Sequence, residues 1–377
     1  MLKITNARVF VGGEFIDREI GIEGGMVAHI GNVGESDETL DAKGQWLLPG
    51  LIDPHVHLRE PGATHKEDFA SGSRAAIAGG FTGVIDMPNS DPPTTTVQAL
   101  HEKKDLAKKS KCEVFFHFGA GENNFVEIKK ANPSSLKIYM GETTGKMYLD
   151  GRTVETHFER FPKEKPVVIH AEGNNIKKAI ELAKKHNHRI HLAHAPSAAA
   201  VRDAKTWEKA TVEVAPHHLF LSDAFNPKLA AVKPPLQTES ERQELWSVLN
   251  DITCIASDHA PHTLEEKEKG AYGFPGLETT FALMLKAYYE RHIPFPWLMQ
   301  RLAENPARIF SLGKRGKIEK GYMANLILVD PKKEWTVKGE ELQTKCQWSP
   351  YEGWKLKGKT ILAIVQGKIV YQENEFV

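Results

Sequence analysis

The stretch Val167-Val168-Ile169-His170, followed by the polar segment 174–186 and by Ile190-His191-Leu192-Ala193-His194, indicates the fold most clearly. Both short runs are mostly apolar, which is typical of strands buried on both faces of a parallel sheet. Between them, apolar residues at positions 176–183 recur at helical spacing and predict a helix. This strand–helix–strand order predicts a unit of an α/β fold.

The same alternation extends in both directions over about 260 residues, the length of a typical barrel. Eight apolar runs predict strands at 47–58, 83–87, 114–118, 136–140, 167–170, 190–194, 212–215 and 252–256. Helices are predicted at 68–78, 97–109, 174–186, 197–209 and 239–250. Eight strands that alternate with helices predict a (β/α)8 TIM-type barrel over residues 49–313.

Both ends of the chain are predicted to be β structure. The glycine pairs Gly12-Gly13 and Gly24-Gly25 mark turns between short alternating runs near the N-terminus. The runs 326–329 and 361–365 have the same character, and neither end shows a helical period. We therefore predict a small β domain built from both chain ends, residues 1–48 plus 314–377.

The composition is that of a globular chain and excludes several classes of protein. The 377 residues include 49 basic and 49 acidic side chains, so no excess of positive charge suggests nucleic-acid binding. Cys112, Cys254 and Cys346 are far apart and predict neither a disulfide framework nor a Cys-x-x-Cys zinc site. No N-terminal signal and no apolar run of ~20 residues is visible, so we expect no membrane partner and a cytoplasmic location.

Polar residues that suit metal or substrate binding lie where the predicted strands end. In TIM-type barrels the chemistry is located at the C-terminal ends of the strands. Along the chain, these residues are His55, His57, Arg59, Asn89, Lys137 (within its strand), His170, His194, the segment 213–218, Asp258 and His262. Chance would scatter such residues over loops and helix faces, so one site at the mouth of the barrel is predicted.

His55 and His57 are two residues apart on a strand, so both imidazoles point to the same side. Alone, such a pair is usually two partly exposed histidines. Together with His170, His194 and Asp258, it favours a metal site. Five nitrogen and oxygen ligands are too many for one tetrahedral ion with an open position, so two metals are predicted. The nearby histidines interpreted as supporting or structural are His191, His217, His218 and His259.

Two positively charged residues, Lys137 and Arg59, can each be interpreted in more than one way. Lys137, in a buried strand, either extends to the barrel rim, acts as a desolvated nucleophile or base, or is modified to an anion that bridges metals. Arg59, directly after the histidine pair, either forms a surface ion pair or binds a carboxylate or phosphate with its planar fork. No Gly-x-x-x-x-Gly-Lys phosphate loop is present.

Strings along almost the whole chain resemble the dihydroorotases of the amidohydrolase superfamily, including the dihydroorotase domain of the multifunctional animal pyrimidine-synthesis protein. Two of them are Asp53-Pro54-His55-Val56-His57-Leu58-Arg59 and Ser257-Asp258-His259-Ala260-Pro261-His262. The full set of matching strings is 48–62, 64–69, 87–89, 136–139, 170–172, 213–221, 256–263 and 273–279.

The resemblance implies a centre of two Zn²⁺ per chain. The implied ligands are His55, His57 and Asp258 for the first ion, His170 and His194 for the second, and N-carboxylated Lys137 bridging both. A third zinc is not expected, because Ala193 stands where the animal domain has a cysteine.

The resemblance also implies a reaction, the reversible cyclisation of N-carbamoyl-L-aspartate to (S)-dihydroorotate and water in de novo pyrimidine biosynthesis. A hydroxide on the zinc ions would attack the ring amide, with Asp258 as general acid/base. The residues implied to hold the substrate carboxylate and ring are Arg59, Asn89 and His262. A mobile loop at 141–149 would cover the substrate through Thr143, although Thr144 replaces the phenylalanine of the animal domain.

Three alternative functions remain open. The first is another cyclic amidase, such as an allantoinase or hydantoinase, and the second is a non-catalytic structural partner of an aspartate transcarbamoylase. The third is a plain barrel with surface histidines. Arg59, Asn89 and His262 argue against the first, because together they suit a ring with a carboxylate. The complete set of ligands argues against the second. A small-molecule substrate is expected, and the sequence leaves open a homodimer or a complex with aspartate transcarbamoylase.

Overall fold

A computed structural model describes residues 1–141 and 147–377. In these ranges the strands are β1 Leu2–Thr5, β2 Arg8–Val11, β3 Glu14–Asp17, β4 Glu19–Glu23, β5 Met26–Gly31, β6 Glu38–Asp41, β7 Trp46–Pro49, β8 Leu51–Val56, β9 Phe81–Asp86, β10 Glu113–Phe116, β11 Phe118–Gly119, β12 Leu136–Tyr139, β13 Val167–His170, β14 Ile190–Leu192, β15 Ala210–Val214, β16 Cys254–Ile255, β17 Leu326–Thr336, β18 Lys355–Val365, β19 Lys368–Gln372 and β20 Glu375–Phe376. The α-helices are α1 Phe69–Ala78, α2 Val97–Leu106, α3 Phe125–Ala131, α4 Gly151–Arg160, α5 Asn174–Lys185, α6 Ala198–Lys205, α7 Pro216–Phe220, α8 Glu239–Ser247, α9 Leu264–Glu268, α10 Leu277–Arg291, α11 Phe295–Met299 and α12 Asn305–Ile309.

The middle of the chain forms parallel strands with helices between most of them. Strands β8, β9 and β10 form one parallel sheet, and β11 to β16 form a second in chain order. Only His117 separates β10 from β11. Beyond β16, His259 forms a parallel bridge with Val56, and its carbonyl accepts the backbone N–H of His57 at 2.8 Å. The chain after β16 therefore lies beside β8.

Strands from both chain ends share one sheet. Its order is β20-β19-β18-β17-β7-β2-β3, and a second sheet has the order β5-β4-β1-β6. One apolar cluster joins the two sheets through fully buried side chains such as Ile4, Leu47, Leu326 and Ile364. The larger cluster covers the parallel strands and their helices.

The apolar run 47–58, predicted as one strand, is two strands in the structure. Strand β7 pairs antiparallel with β17, whereas β8 pairs parallel with β9. Gly50 separates them, and a Cβ atom there would collide with the side chain of Thr82. Because both strands are buried, hydrophobicity alone does not reveal the break between them.

The five predicted helices are present, each shorter than expected, but the sequence pattern does not predict the 15-residue helix α10. Its buried residues lie on several sides, so a single apolar stripe is lacking. At its N-terminus the Leu277 carbonyl lies against Gly79, and further along Leu285 lies against Gly358 of β18. None of the described helices is both long and apolar enough to cross a bilayer.

A segment near the C-terminus, residues 343–348, contacts two of the loops that follow parallel strands, and we call it the C-terminal brace. The backbone N–H of Lys345 donates to both carboxylate oxygens of Glu67 at 3.3 Å. The indole N–H of Trp348 donates to the carbonyl of His262 at 2.7 Å. The brace therefore holds the loops after β8 and β16, which carry predicted site residues.

Candidate active site

His55, His57 and Asp258 form a cluster at the junction of β8 and the chain beyond β16. The Nε2 atoms of His55 and His57 lie 3.3 and 3.4 Å from the same Oδ1 atom of Asp258. One ligand atom from each residue lies within 4.8 Å of the others. Two imidazoles and a carboxylate at this separation suit a divalent transition metal. We call these three residues the first ligand cluster.

His170 and His194, at the end of β13 and just beyond β14, form a second pair. His170 Nδ1 lies 2.8 Å from His194 Nε2, and the His194 ring centroid is 5.1 Å from that of His55. Burial lowers the pKa of both imidazoles, so both are neutral and retain lone pairs. The pair thus adjoins the first ligand cluster and offers two more nitrogen ligands.

Lys137 lies on β12 with its side chain fully buried. Its Nζ atom has no hydrogen-bond partner among the described residues and lies 5.0 Å from the ring centroid of Tyr139. Burial lowers the pKa of Lys137 to about 8, although Glu213 and Asp258 oppose this shift. An unpaired buried amine beside this many ligand-type groups is costly unless something else binds or modifies it.

Glu213, on β15, holds the imidazole of His55 from behind. Its Oε1 accepts from His55 Nδ1 and, at 3.0 Å, from the backbone N–H of His194. Its Oε2 lies 3.0 Å from His191 Nε2. Burial would raise the pKa of Glu213, but His55 and His191 hold it well below its usual value. With its proton on Nδ1, His55 keeps the lone pair of Nε2, on the side of Asp258, available to a metal ion.

Arg59, Asn89 and His262 surround the other side of the site, but they do not all meet. Asn89 Oδ1 lies 2.7 Å from His57 Nδ1, so the amide oxygen orients a residue of the first ligand cluster as Glu213 orients His55. Arg59 is buried, its Nε donates to the Pro261 carbonyl at 3.1 Å, and its Nη2 lies 2.9 Å from His262 Nε2. The structure thus pairs Arg59 with His262 and places Asn89 on the metal side.

One open cavity joins the two sides. The polar and aromatic residues that line it are His55, His57, Arg59, Asn89, Tyr139, His170, His194, Lys233, Asp258 and Tyr272. Three of these lining residues, Tyr139, Lys233 and Tyr272, and the supporting role of Glu213 are not predicted from the sequence. The available signal for Glu213 and Tyr139 was their position at strand ends. The predicted loop residue Thr143 lies outside the described residues, so its role stays a prediction.

Three of the site residues have a left-handed backbone. The φ angles are 61° at Arg59, 34° at His194 and 48° at Asp258. Residues other than glycine seldom adopt such angles, and they cluster at functional sites where the surrounding structure enforces them. Each of the three lies within three residues of a strand end, so the backbone turns sharply where it enters the cavity.

The four neighbouring histidines are buried. His191 contacts Glu213, and His259 Nδ1 accepts the backbone N–H of Gly276 at 3.1 Å while its Nε2 lies 3.4 Å from Glu67. The remaining two, His217 and His218, lie on α7. The contacts described for His191 and His259 are therefore with residues that support the site.

Comparisons with known proteins identify the family of this chain. The amidohydrolase family model matches residues 46–121 and 161–370. A dihydroorotase from Pyrococcus abyssi is 39% identical, with 97% of this chain and 94% of that protein covered. Multifunctional protein CAD from Squalus acanthias is 37% identical over 87% of this chain but only 15% of its own length. The resemblance to dihydroorotases is thus confirmed.

A solved structure, the L-hydantoinase (dihydropyrimidinase) from Arthrobacter aurescens, has the same fold. It matches with a TM-score of 0.94 and 24% identity, covering 100% of this chain and 97% of that one. This chain therefore belongs to the amidohydrolase family and, within it, to the group that includes these dihydroorotases.

Proposed function

We propose that this chain is a dihydroorotase, which interconverts N-carbamoyl-L-aspartate and (S)-dihydroorotate with loss or gain of water in de novo pyrimidine biosynthesis. The observation that carries the proposal is the presence of the first ligand cluster and the buried guanidinium of Arg59 in one cavity. The cluster suits hydrolysis of a cyclic amide, and the guanidinium suits a ring that carries a carboxylate. Relatives of similar length that are named dihydroorotase support this reaction.

The residues of the site fit a centre of two Zn²⁺. His55, His57 and Asp258 would hold the first ion, and His170 with His194 would hold the second. Lys137, if N-carboxylated, would supply a further ligand to the two ions. The unpartnered Nζ atom of Lys137 supports this modification, because a carbamate replaces a buried cation by an anion with two ligand oxygens. When bound, the two ions supply hydroxide near neutral pH and polarise the reacting carbonyl.

The protein's own residues then bind the substrate and move the proton. Arg59 stays charged at neutral pH, because burial lowers its pKa only to about 10, and it holds the substrate carboxylate by charge-assisted hydrogen bonds. Burial raises the pKa of Asp258, which favours uptake of a proton from the attacking water. Asp258 delivers this proton to the departing ring nitrogen, and in ring closure it carries the proton in the opposite direction.

The same proposal includes the wider organisation of the chain. Strands β8 to β16, with β10 and β11 counted as one strand interrupted at His117, close into a (β/α)8 TIM-type barrel over residues 49–313, supported by the bridge between Val56 and His259. Residues 1–48 and 314–377 form a separate small β domain, supported by the sheet they share. A lid that contacts the substrate through Thr143, a cytoplasmic location, and a homodimer or a complex with aspartate transcarbamoylase remain predictions.

The test is a comparison of substrates with the zinc-loaded protein. We expect turnover of dihydroorotate and carbamoyl-aspartate, with allantoin and hydantoin slower by about 10⁴-fold because they leave buried donors unpaired. Arg59→Met should abolish most of this turnover while two zinc ions remain bound, and Arg59→Lys should not restore it, because an ammonium lacks the fork. Equal turnover of allantoin or hydantoin would instead identify another cyclic amidase.

A further inference from the structure

A buried ion pair joins helix α2 to the end of strand β9. Lys103 of α2 and Asp86, the last residue of β9, are each 1% exposed, and Lys103 Nζ lies 2.5 Å from Asp86 Oδ2. Lys103 Nζ also donates to the carbonyl of Met87 at 2.8 Å. Burying two charges seldom stabilises a fold more than apolar side chains of the same size would, because desolvation offsets their attraction. Stability alone therefore does not account for this pair.

Asp86 contacts the backbone that carries two residues of the site. Its Oδ1 accepts the backbone N–H of Leu58 at 2.8 Å, and Leu58 lies between His57 and Arg59. The backbone of Arg59 turns into the left-handed region directly after this contact, with a φ of 61°. A carboxylate that lies outside the cavity lining is thus attached to the residue next to Arg59.

Arg59 is a buried guanidinium without a carboxylate in ion-pair contact in the part of the chain that the structure describes. Its hydrogen-bond partners there are the Pro261 carbonyl and the His262 ring, and neither is an anion. Burial lowers the pKa of Arg59 to about 10, and the negative charges of Asp258 and Asp86 oppose this shift. The attraction of Arg59 for an anion therefore depends on how far these carboxylates cancel its charge.

Lys103 controls how strongly Asp86 acts on Arg59. Burial raises the pKa of Asp86, and the ammonium of Lys103 opposes this shift more strongly than the guanidinium of Arg59 does. We propose that Lys103 is a positioning residue for substrate binding, which holds and neutralises Asp86 so that Arg59 keeps its charge for the carboxylate of the substrate. This inference rests on the proposed function and adds to it a residue outside the cavity that sets substrate affinity.

Lys103→Met tests this role, because methionine is of similar length and carries no charge. The carboxylate of Asp86 then lacks its counter-ion, so it attracts Arg59 and repels the substrate carboxylate. At pH 8 we expect the KM for dihydroorotate to rise about 10- to 100-fold, an effect comparable to one hydrogen bond between charged groups. The value of kcat and the zinc content should change little, because Lys103 binds Asp86 and Met87 rather than a proposed zinc ligand.

A second substitution separates this role from a merely structural one. Asp86→Asn removes the charge but keeps an oxygen that can accept from Leu58, so Lys103→Met/Asp86→Asn has lost one positive and one negative charge. Its KM should return to within about threefold of the wild type, whereas damage to the fold would increase with the second substitution. An unchanged KM in Lys103→Met, or a double variant with a KM as high as that of Lys103→Met, would overturn the proposal.

Lys109→Met is the control for an unpaired carboxylate elsewhere. Lys109 Nζ lies 2.8 Å from Oε1 of Glu60, a carboxylate of low exposure whose Oε2 accepts the backbone N–H of Phe69 on α1 at 3.0 Å. Its KM should stay near that of the wild type, and a rise equal to that of Lys103→Met would overturn the proposal. If Lys103→Met does not fold, Lys103→Gln takes its place with the same expected rise and rescue, because its amide keeps a donor without the charge.

The choice of substrate distinguishes the failure of this inference from that of the proposed reaction. The slow turnover of hydantoin, a ring without a carboxylate, should be equal in the wild type and in Lys103→Met. An equal loss with both substrates would place the damage on the metal side and refute the role of Lys103. A wild type that does not act on dihydroorotate would instead refute the proposed reaction.

Discussion

Glu213→Gln removes the negative charge behind His55 while nearly preserving the volume of the side chain. The glutamine oxygen can still accept from His55 or from the backbone N–H of His194. Its amide nitrogen can donate to His191, whose Nδ1 lies 2.7 Å from Thr211 Oγ1 and can donate there instead. The variant should therefore fold, and what it loses is the charge that keeps the His55 proton on Nδ1.

The expected effect is on one metal rather than both. Loss of a carboxylate that supports a metal-bound histidine typically weakens metal affinity about 10- to 100-fold, or about 1.4 to 2.7 kcal/mol. Of the five histidine and aspartate ligands proposed, the side chain of Glu213 contacts the ring of His55 alone. In a competition with a zinc chelator, we expect the weaker of two binding steps to shift by this factor and the other to stay within about threefold.

Glu113→Gln is the control, because Glu113 is also a carboxylate with several hydrogen-bond partners, although it is less buried than Glu213. It contacts Arg315, Asn325 and Gln366. This variant should lower the unfolding temperature without changing zinc affinity. Unchanged zinc binding in Glu213→Gln would refute the assigned role of Glu213, and an equal loss in both variants would show that the effect is one of general stability.

Three further outcomes are expected. Lys137→Ala should lose both metals and activity, and gentle native mass spectrometry of the wild type should show one added carboxylate, so an unmodified lysine in active, zinc-loaded protein would contradict the bridge. Asp258→Asn should retain most of the metal but lose turnover, because the amide cannot carry the proton, and normal turnover would exclude Asp258 as the general acid/base. Burial raises the pKa of Glu278 from its ordinary value of 4.5 to about 7, so the folded protein binds this proton more tightly than the unfolded chain. The stability of the wild type relative to Glu278→Gln should therefore fall between about pH 4.5 and 7 in urea unfolding, and parallel pH profiles would contradict this.

The sequence predicts features that depend on local spacing and not those that depend on distant neighbours. The two-residue spacing of His55 and His57 and the apolar runs of the parallel strands are visible in the sequence. The break at Gly50 is not, because it depends on the side chain of Thr82 on the next strand. Helix α10 was missed for a related reason, since burial on several sides removes the stripe that identifies a helix.

The same distinction applies to the site. Ligand-type residues were identified from their chemistry and from their position at strand ends. The contact between Glu213 and His55 joins residues 158 positions apart, and no local pattern indicates which oxygen meets which nitrogen. Asn89 was predicted to bind the substrate, and no local pattern indicates that its Oδ1 also contacts His57. Predicting such pairs requires the order in which strands lie side by side.

The C-terminal brace has a consequence for the synthesis of the protein. The loops that contain Glu67 and His262 leave the ribosome well before residues 343–348 do. A nascent chain that ends before the brace already contains every proposed zinc ligand, but it lacks the contacts that hold these two loops. Residues 343–348 must therefore be translated before the active site can become fully ordered. A stop codon shortly before Gln343 would leave a chain that has all its zinc ligands but not the ordered loops needed for turnover.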